Sequence, residues 1–307
     1  MKRPALLLLL FFAFLCTQAQ TLYSNTFGNR QHPPVIFIHG GPGGNSIQFE
    51  ATTAQKLADK GFFVIVYDRR GESRSPDSNA KINYQEAFDD LNSIYAKYHL
   101  TKASLIGFSF GGLVTTLYTT QYAEKVKAVV LVSALFSQQE TYNHILDSVQ
   151  KIYTIKKDLQ KLQKVAYVKG LDKNSVEYRK ECFALAGENG FFKVAKPAAE
   201  AQRIYSEYEA SMACKNDIRN KKAPELFYKN EPRVNINVQP ILAGFKKKNI
   251  PLYAIYGKQD GIFSIPMINN LKAIVGSNHF RYLDNCSHYL YADQQTAFLQ
   301  SIADWLK

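Results

Sequence analysis

The feature that most constrains this 307-residue chain is a series of short apolar runs, rich in Val and Ile, that each stop at a small or reactive residue. Val35-Ile36-Phe37-Ile38 stops at His39-Gly40-Gly41-Pro42-Gly43-Gly44, and Phe62-Phe63-Val64-Ile65-Val66-Tyr67 stops at Asp68. Residues 103–108 stop at Ser109, 126–132 at Ser133-Ala134, 251–256 at Gly257-Lys258-Gln259-Asp260, and 280–283 at Asp284-Asn285. The runs are apolar on both faces, and helix-like stretches such as Phe49 to Lys60 and Tyr84 to Tyr98 separate the early ones. Doubly buried strands alternating with helices make a mostly parallel central sheet flanked by helices, an α/β fold. Such a sheet carries its site at the C-terminal ends of its strands, where Gly, Asp, Ser and His collect here.

Between about Ser137 and Phe245 this rhythm is lost. No buried-strand run occurs there, and stretches such as Thr141 to Lys164 and Ala198 to Cys214 read as helices. Strand-like runs then resume, and a helix over Gln294 to Leu306 closes the chain. The expected organisation is one core, 20–136 and 246–307, interrupted by a helical insertion, 137–245.

Gly107-Phe108-Ser109-Phe110-Gly111-Gly112 follows a buried strand and opens a helix-like stretch. G-x-S-x-G in that setting is a nucleophile elbow, in which a tight turn lifts Ser109 Oγ above the sheet at a helix N-terminus. A serine hydroxyl needs a base. Of six histidines, His288 lies past the last strand-like run, in a loop able to reach the elbow. Asp260, which closes the preceding strand, is the expected third member, with Asp284 as rival acid. The chain order Ser109, Asp260, His288 is that of α/β-hydrolases and not of trypsin-like or subtilisin-like enzymes. The glycine loop 39–44 supplies an oxyanion hole, with the backbone N–H groups of Gly41 and Phe110 as expected donors.

Taken together these residues resemble the α/β-hydrolase superfamily and, within it, the proline iminopeptidase family of serine peptidases. His39-Gly40-Gly41-Pro42-Gly43 is similar to that family's HGGPG loop. The segment Tyr67 to Ser75 resembles its YDQRGxGxS segment, with Arg69 for Gln and Ser73 for the second Gly. The resemblance implies that the insertion is a helical cap. It also implies that Glu209, in Tyr205-Ser206-Glu207-Tyr208-Glu209, and Glu225, in Glu225-Leu226-Phe227-Tyr228, bind the free amino group of a substrate. A buried ammonium does need such carboxylates. Two departures stand out: the cap holds no tryptophan, and the segment before the first core strand, 20–30, is short for the family's edge strand.

Residues 1–19 form a separate unit: Lys2-Arg3, an apolar run from Ala5 to Leu15, and Thr17-Gln18-Ala19 before a cut. This is the pattern of a signal peptide, and it predicts a secreted or periplasmic protein without stable membrane insertion after cleavage. The formal charge is +12, but no basic stripe interleaved with aromatics occurs, so nucleic acid is not an expected partner. Cys182, Cys214 and Cys286 have no metal-ligand spacing, and neither a metal nor an organic cofactor is expected. They read as free thiols, with a Cys182–Cys214 bridge as the alternative. The expected function is an exported serine aminopeptidase that releases N-terminal proline or a small residue from short peptides. The alternatives are a carboxylic-ester or lactone hydrolase and a non-catalytic ligand-binding relative. A dehalogenase or epoxide hydrolase would carry Asp where this chain carries Ser109.

Overall fold

The computed structural model describes residues 22–307. The expected signal segment, 1–19, lies outside the described residues. Among those residues seven strands form one sheet: β1 (Ser24–Phe27), β2 (Pro34–Ile38), β3 (Phe63–Tyr67), β4 (Ala103–Phe108), β5 (Val126–Val132), β6 (Leu252–Gly257) and β7 (Phe280–Leu283). Their order is β1-β3-β2-β4-β5-β6-β7, parallel throughout except at β1. Strands β2 to β7 are the six apolar runs.

Alternation along these strands splits the core in two. Ile36, Ile38, Ile65 and Leu105 face one layer, where they meet Phe88 and Leu91 of helix Tyr84–Lys97 and Leu113 of helix Phe110–Gln121. Val35, Phe37, Val64, Val66 and Ile106 face the other, where Leu57 and the last helix, Gln295–Leu306, cover them. Both faces are therefore dry, which is why these runs show no polar alternation.

The short segment before β2 does build an edge strand. Ser24–Phe27 pairs antiparallel with β3, Ser24 opposite Tyr67 and Phe27 opposite Val64. Its residues are only half covered, as suits an edge, so no apolar run announces it.

Residues 137–245 hold helices, the longest being Gln138–Lys156, Leu159–Gly170, Val176–Glu188 and Ala199–Ala210. Three of these enclose a small core of their own, with Tyr142, Leu146, Val165, Tyr178 and Cys182. The stretch expected as one helix, 141–164, is broken. Lys157 takes a left-handed conformation, and Asp158 accepts from Lys161 N–H at 3.0 Å to start a new helix. Ser211 likewise divides 198–214 by capping Met212–Lys215. Cys182, Cys214 and Cys286 are all free thiols. Among the described residues, no helix is long and apolar enough to cross a membrane.

The last helix is a test of this layering. Phe298 is fully buried and meets Phe49 and Tyr291 edge-on, at centroid distances of 6.3 and 6.4 Å. Phe298→Ala should lower unfolding stability by about 3–5 kcal/mol in urea titration. A loss below about 1 kcal/mol would mean that the helix does not seal this face.

Candidate active site

β4 lies at the centre of the sheet, and its C-terminal end turns within one residue into a helix. Ser109 sits between Phe108, the last strand residue, and Phe110, the first helical one, with φ 53° and ψ −122°. A non-glycine residue there costs of order 1–3 kcal/mol, so its surroundings must hold it. They do: Ser109 N–H donates to Val132 C=O at 3.2 Å, and Ser109 C=O accepts from Leu135 N–H at 2.9 Å and Gly112 N–H at 3.0 Å. Gly111 lets the helix enter, because a Cβ there would stand 2.1 Å from Ile38 O. Phe110 N–H is one of the four that a helix start leaves without an intrahelical acceptor, while its ring turns away to stack on Tyr84.

The expected base and acid, His288 and Asp260, come from neighbouring loops. His288 Nδ1 lies 2.8 Å from Asp260 Oδ2, and both residues are buried. A carboxylate only accepts, so Nδ1 carries a proton, and in the neutral imidazole Nε2 is then the nitrogen with the free lone pair. The imidazole is set between Phe108 and Phe192, at centroid distances of 5.1 and 5.3 Å. Gln259 laces the two loops together: its N–H donates to Cys286 C=O at 2.8 Å, and its side-chain oxygen accepts from Cys286 N–H at 2.8 Å. Asp293 accepts from Ser287 N–H at 2.7 Å. Asp284, the rival acid, is exposed and paired with Lys258 at 2.8 Å.

The glycine loop after β2 rests on a buried ion pair. Arg69 Nη1 donates to His39 C=O and Nη2 to Gly40 C=O, each at 2.7 Å. Arg69 Nε meets Glu72 Oε2 at 2.8 Å, and Glu72 Oε1 accepts from Gly43 N–H. Burial raises the Glu72 carboxyl, with Arg69 pulling the other way. Burial, with Arg69 beside it, holds His39 well below its ordinary value and therefore neutral. The loop passes so close to the elbow that a Cβ on Gly40 would stand 3.1 Å from Ser109 Cβ. Gly41, Ser109 and His288 then line one cavity of about 360 Å³, walled by Phe183 and Phe192 of the insertion. A larger hollow, of about 710 Å³, lies away from this site between residues 242–253 and 273–279.

Glu209 and Glu225, the two glutamates expected to bind a substrate amino group, do not join them. Glu225 is exposed and pairs with Lys180 at 2.7 Å, which lowers its pKa. Its helix, Ala223–Asn230, buries Ala223 and Phe227, and position 225 falls off that face. Helix Ala199–Ala210 buries Ala201, Ile204 and Tyr208, which leaves Glu209 exposed in a neighbouring hollow. The cavity instead carries Arg179, Arg219 and Lys221 against one acid, Asp217. Asp217 is already engaged, by Asn45 Nδ2 at 2.6 Å and the Tyr208 hydroxyl at 2.8 Å. Sequence reading missed these four residues, the Arg69–Glu72 pair and Gln259. Among the described residues no cluster of His, Cys, Asp and Glu is placed to hold a metal.

The family profile described as "alpha/beta hydrolase fold" matches residues 33–294. The chain belongs to this family. It is similar to proline iminopeptidase of Lactobacillus helveticus, 32% identical over 123 residues, which are 38% of this chain and 41% of the relative. A putative non-heme chloroperoxidase of Synechocystis is 33% identical over 102 residues, 33% of this chain and 36% of the relative. The chain thus spans well under half the length of either relative. The crystal structure of a proline iminopeptidase-related protein from Thermus thermophilus shares the fold, with a TM-score of 0.64 at 18% identity, over 93% of this chain and 94% of that one.

The Arg69–Glu72 pair yields a test with a definite sign. Arg69→Ala leaves Glu72 buried without its partner, a loss of about 3–5 kcal/mol. The Glu72 pKa is higher folded than unfolded, so its penalty is absent below about pH 4 and grows as pH rises through the folded value. The stability difference between wild type and Arg69→Ala should therefore be larger at about pH 8 than at about pH 4.5 in urea titrations. A pH-independent difference would show that Arg69 does not compensate Glu72.

Proposed function

We propose that the protein is a serine hydrolase of carboxylic esters, with Ser109 as nucleophile, His288 as base and Asp260 as the acid that orients it. The observation that carries this reading is the strained Ser109 elbow opening into the same cavity as His288, whose far nitrogen is held by Asp260. Ser109 Oγ bonds to the ester carbonyl carbon as its proton passes to His288 Nε2. The carbonyl electron pair moves onto oxygen, where the N–H groups of Gly41 and Phe110 receive it. Collapse of this species breaks the bond to the alkoxy group, which leaves with the proton from His288. Water then gives a proton to His288 and bonds to the acyl carbon, and Ser109 departs with that proton. One water is consumed, and one acid and one alcohol are formed.

Aminopeptidase activity is the second reading, and it rests on the match to proline iminopeptidases. Against it stand the exposed positions of Glu209 and Glu225 and the excess of cations around Ser109, which would repel a substrate ammonium. Export is proposed on residues 1–19 alone.

Kinetics on para-nitrophenyl butyrate check the assignment. Ser109→Ala and His288→Ala should each lower kcat by about 10⁴–10⁶-fold, and Asp260→Asn by less. Asp284→Asn should stay within about two-fold of wild type, since it acts at the surface. A benign Asp260→Asn would remove Asp260 from the mechanism, and faster turnover of prolyl arylamide than of the ester would favour the peptidase.

A further inference from the structure

We infer that the cavity over Ser109 selects esters that carry a carboxylate, held by Arg179 and Arg219; this rests on the ester-hydrolase reading above. Five other arginines are neutralised, while Arg30 and Arg281, which do not line the cavity, also lack a carboxylate partner among the described residues. Arg69, Arg70, Arg74, Arg203 and Arg233 each meet a carboxylate at 2.6–2.8 Å. Arg179 and Arg219 line the cavity and, among the described residues, form no such pair.

Both guanidinium groups are nonetheless positioned. Arg179, on helix Val176–Glu188, donates from Nη2 to Gly41 C=O at 3.0 Å and lies over the Phe183 ring, 5.0 Å from its centroid. One hydrogen bond uses a single donor of the five in its fork. Arg219 donates to the Tyr289 hydroxyl at 3.4 Å, beside His288, and Lys221 adds a third positive charge to the wall. The two arginines thus flank the reacting centre, one at the expected oxyanion loop and one at the base loop. A guanidinium fork matches a carboxylate with two parallel hydrogen bonds; the Phe183 ring shields that pairing at Arg179, while Arg219 sits at the exposed rim of the cavity. Asp217, the sole acid of the wall, already accepts from Asn45 and Tyr208 and leaves the balance positive.

Four esters test the inference. Para-nitrophenyl hemiglutarate carries its charge on the acyl limb, and para-acetoxybenzoate carries it on the leaving limb. Para-nitrophenyl hexanoate and methyl para-acetoxybenzoate are their neutral counterparts. At low salt at least one anionic ester should exceed its counterpart in kcat/KM by about 10-fold or more, and added salt should shrink that ratio. Arg179→Gln or Arg219→Gln should cut the anionic-to-neutral ratio by about 10-fold or more, as one lost charge-assisted contact predicts. Arg219→Lys should keep part of it. Because each ratio is taken within one enzyme preparation, a partly misfolded variant cannot imitate the effect. Neutral esters cleaved at least as fast as both anionic ones, or a ratio that survives both Gln variants, would overturn the inference and leave the ester reading standing. Failure to cleave any of the four would overturn both.

Discussion

The site is organised around one unfavourable backbone conformation. Ser109 is a non-glycine residue at φ 53°, and the cost is met by the bonds that its own peptide groups make to Val132, Leu135 and Gly112. Those partners belong to β5, to the loop after it and to the helix that begins at Phe110. The position of Ser109 is thus an outcome of the sheet itself. β2 delivers the glycine loop on one side of β4, and β6 and β7 deliver Asp260 and His288 on the other.

Charge is handled differently beneath and above that point. Below, buried carboxylates are matched: Glu72 by Arg69, Asp90 by Arg70, and Asp68 by Arg74, which also meets half-buried Glu50. A buried pair contributes little net stability, but losing one member is costly, so these pairs hold the glycine loop and its support in one arrangement. Above, in the cavity, the cations of the insertion are left without carboxylates. The same chain that neutralises its interior presents an unbalanced positive wall where substrate would enter.

Much of this was legible in the sequence. Strands buried on both faces show as unbroken apolar runs, and β2 to β7 came through within a residue of their ends. β1 did not, because Ser24-Asn25-Thr26-Phe27 is a half-covered edge held by backbone pairing. Ser109, His288 and Asp260 sit at strand ends, so their proximity follows from topology. The resemblance points to Glu209 and Glu225, but the helical stripes 201/204/208 and 223/227 turn both side chains outward. Arg179 had no comparable signal: its partner is the carbonyl of Gly41, 138 residues away, and no local periodicity encodes such a contact.

The central claim is that Ser109 is the activated nucleophile. The most direct measurement is the mass of the folded protein after incubation with a fluorophosphonate, followed by peptide mapping of the adduct. The account predicts one phosphonyl group per chain, located on Ser109, with labelling abolished in Ser109→Ala and strongly slowed in His288→Ala. An adduct on another residue, or no adduct on a folded chain, would contradict it.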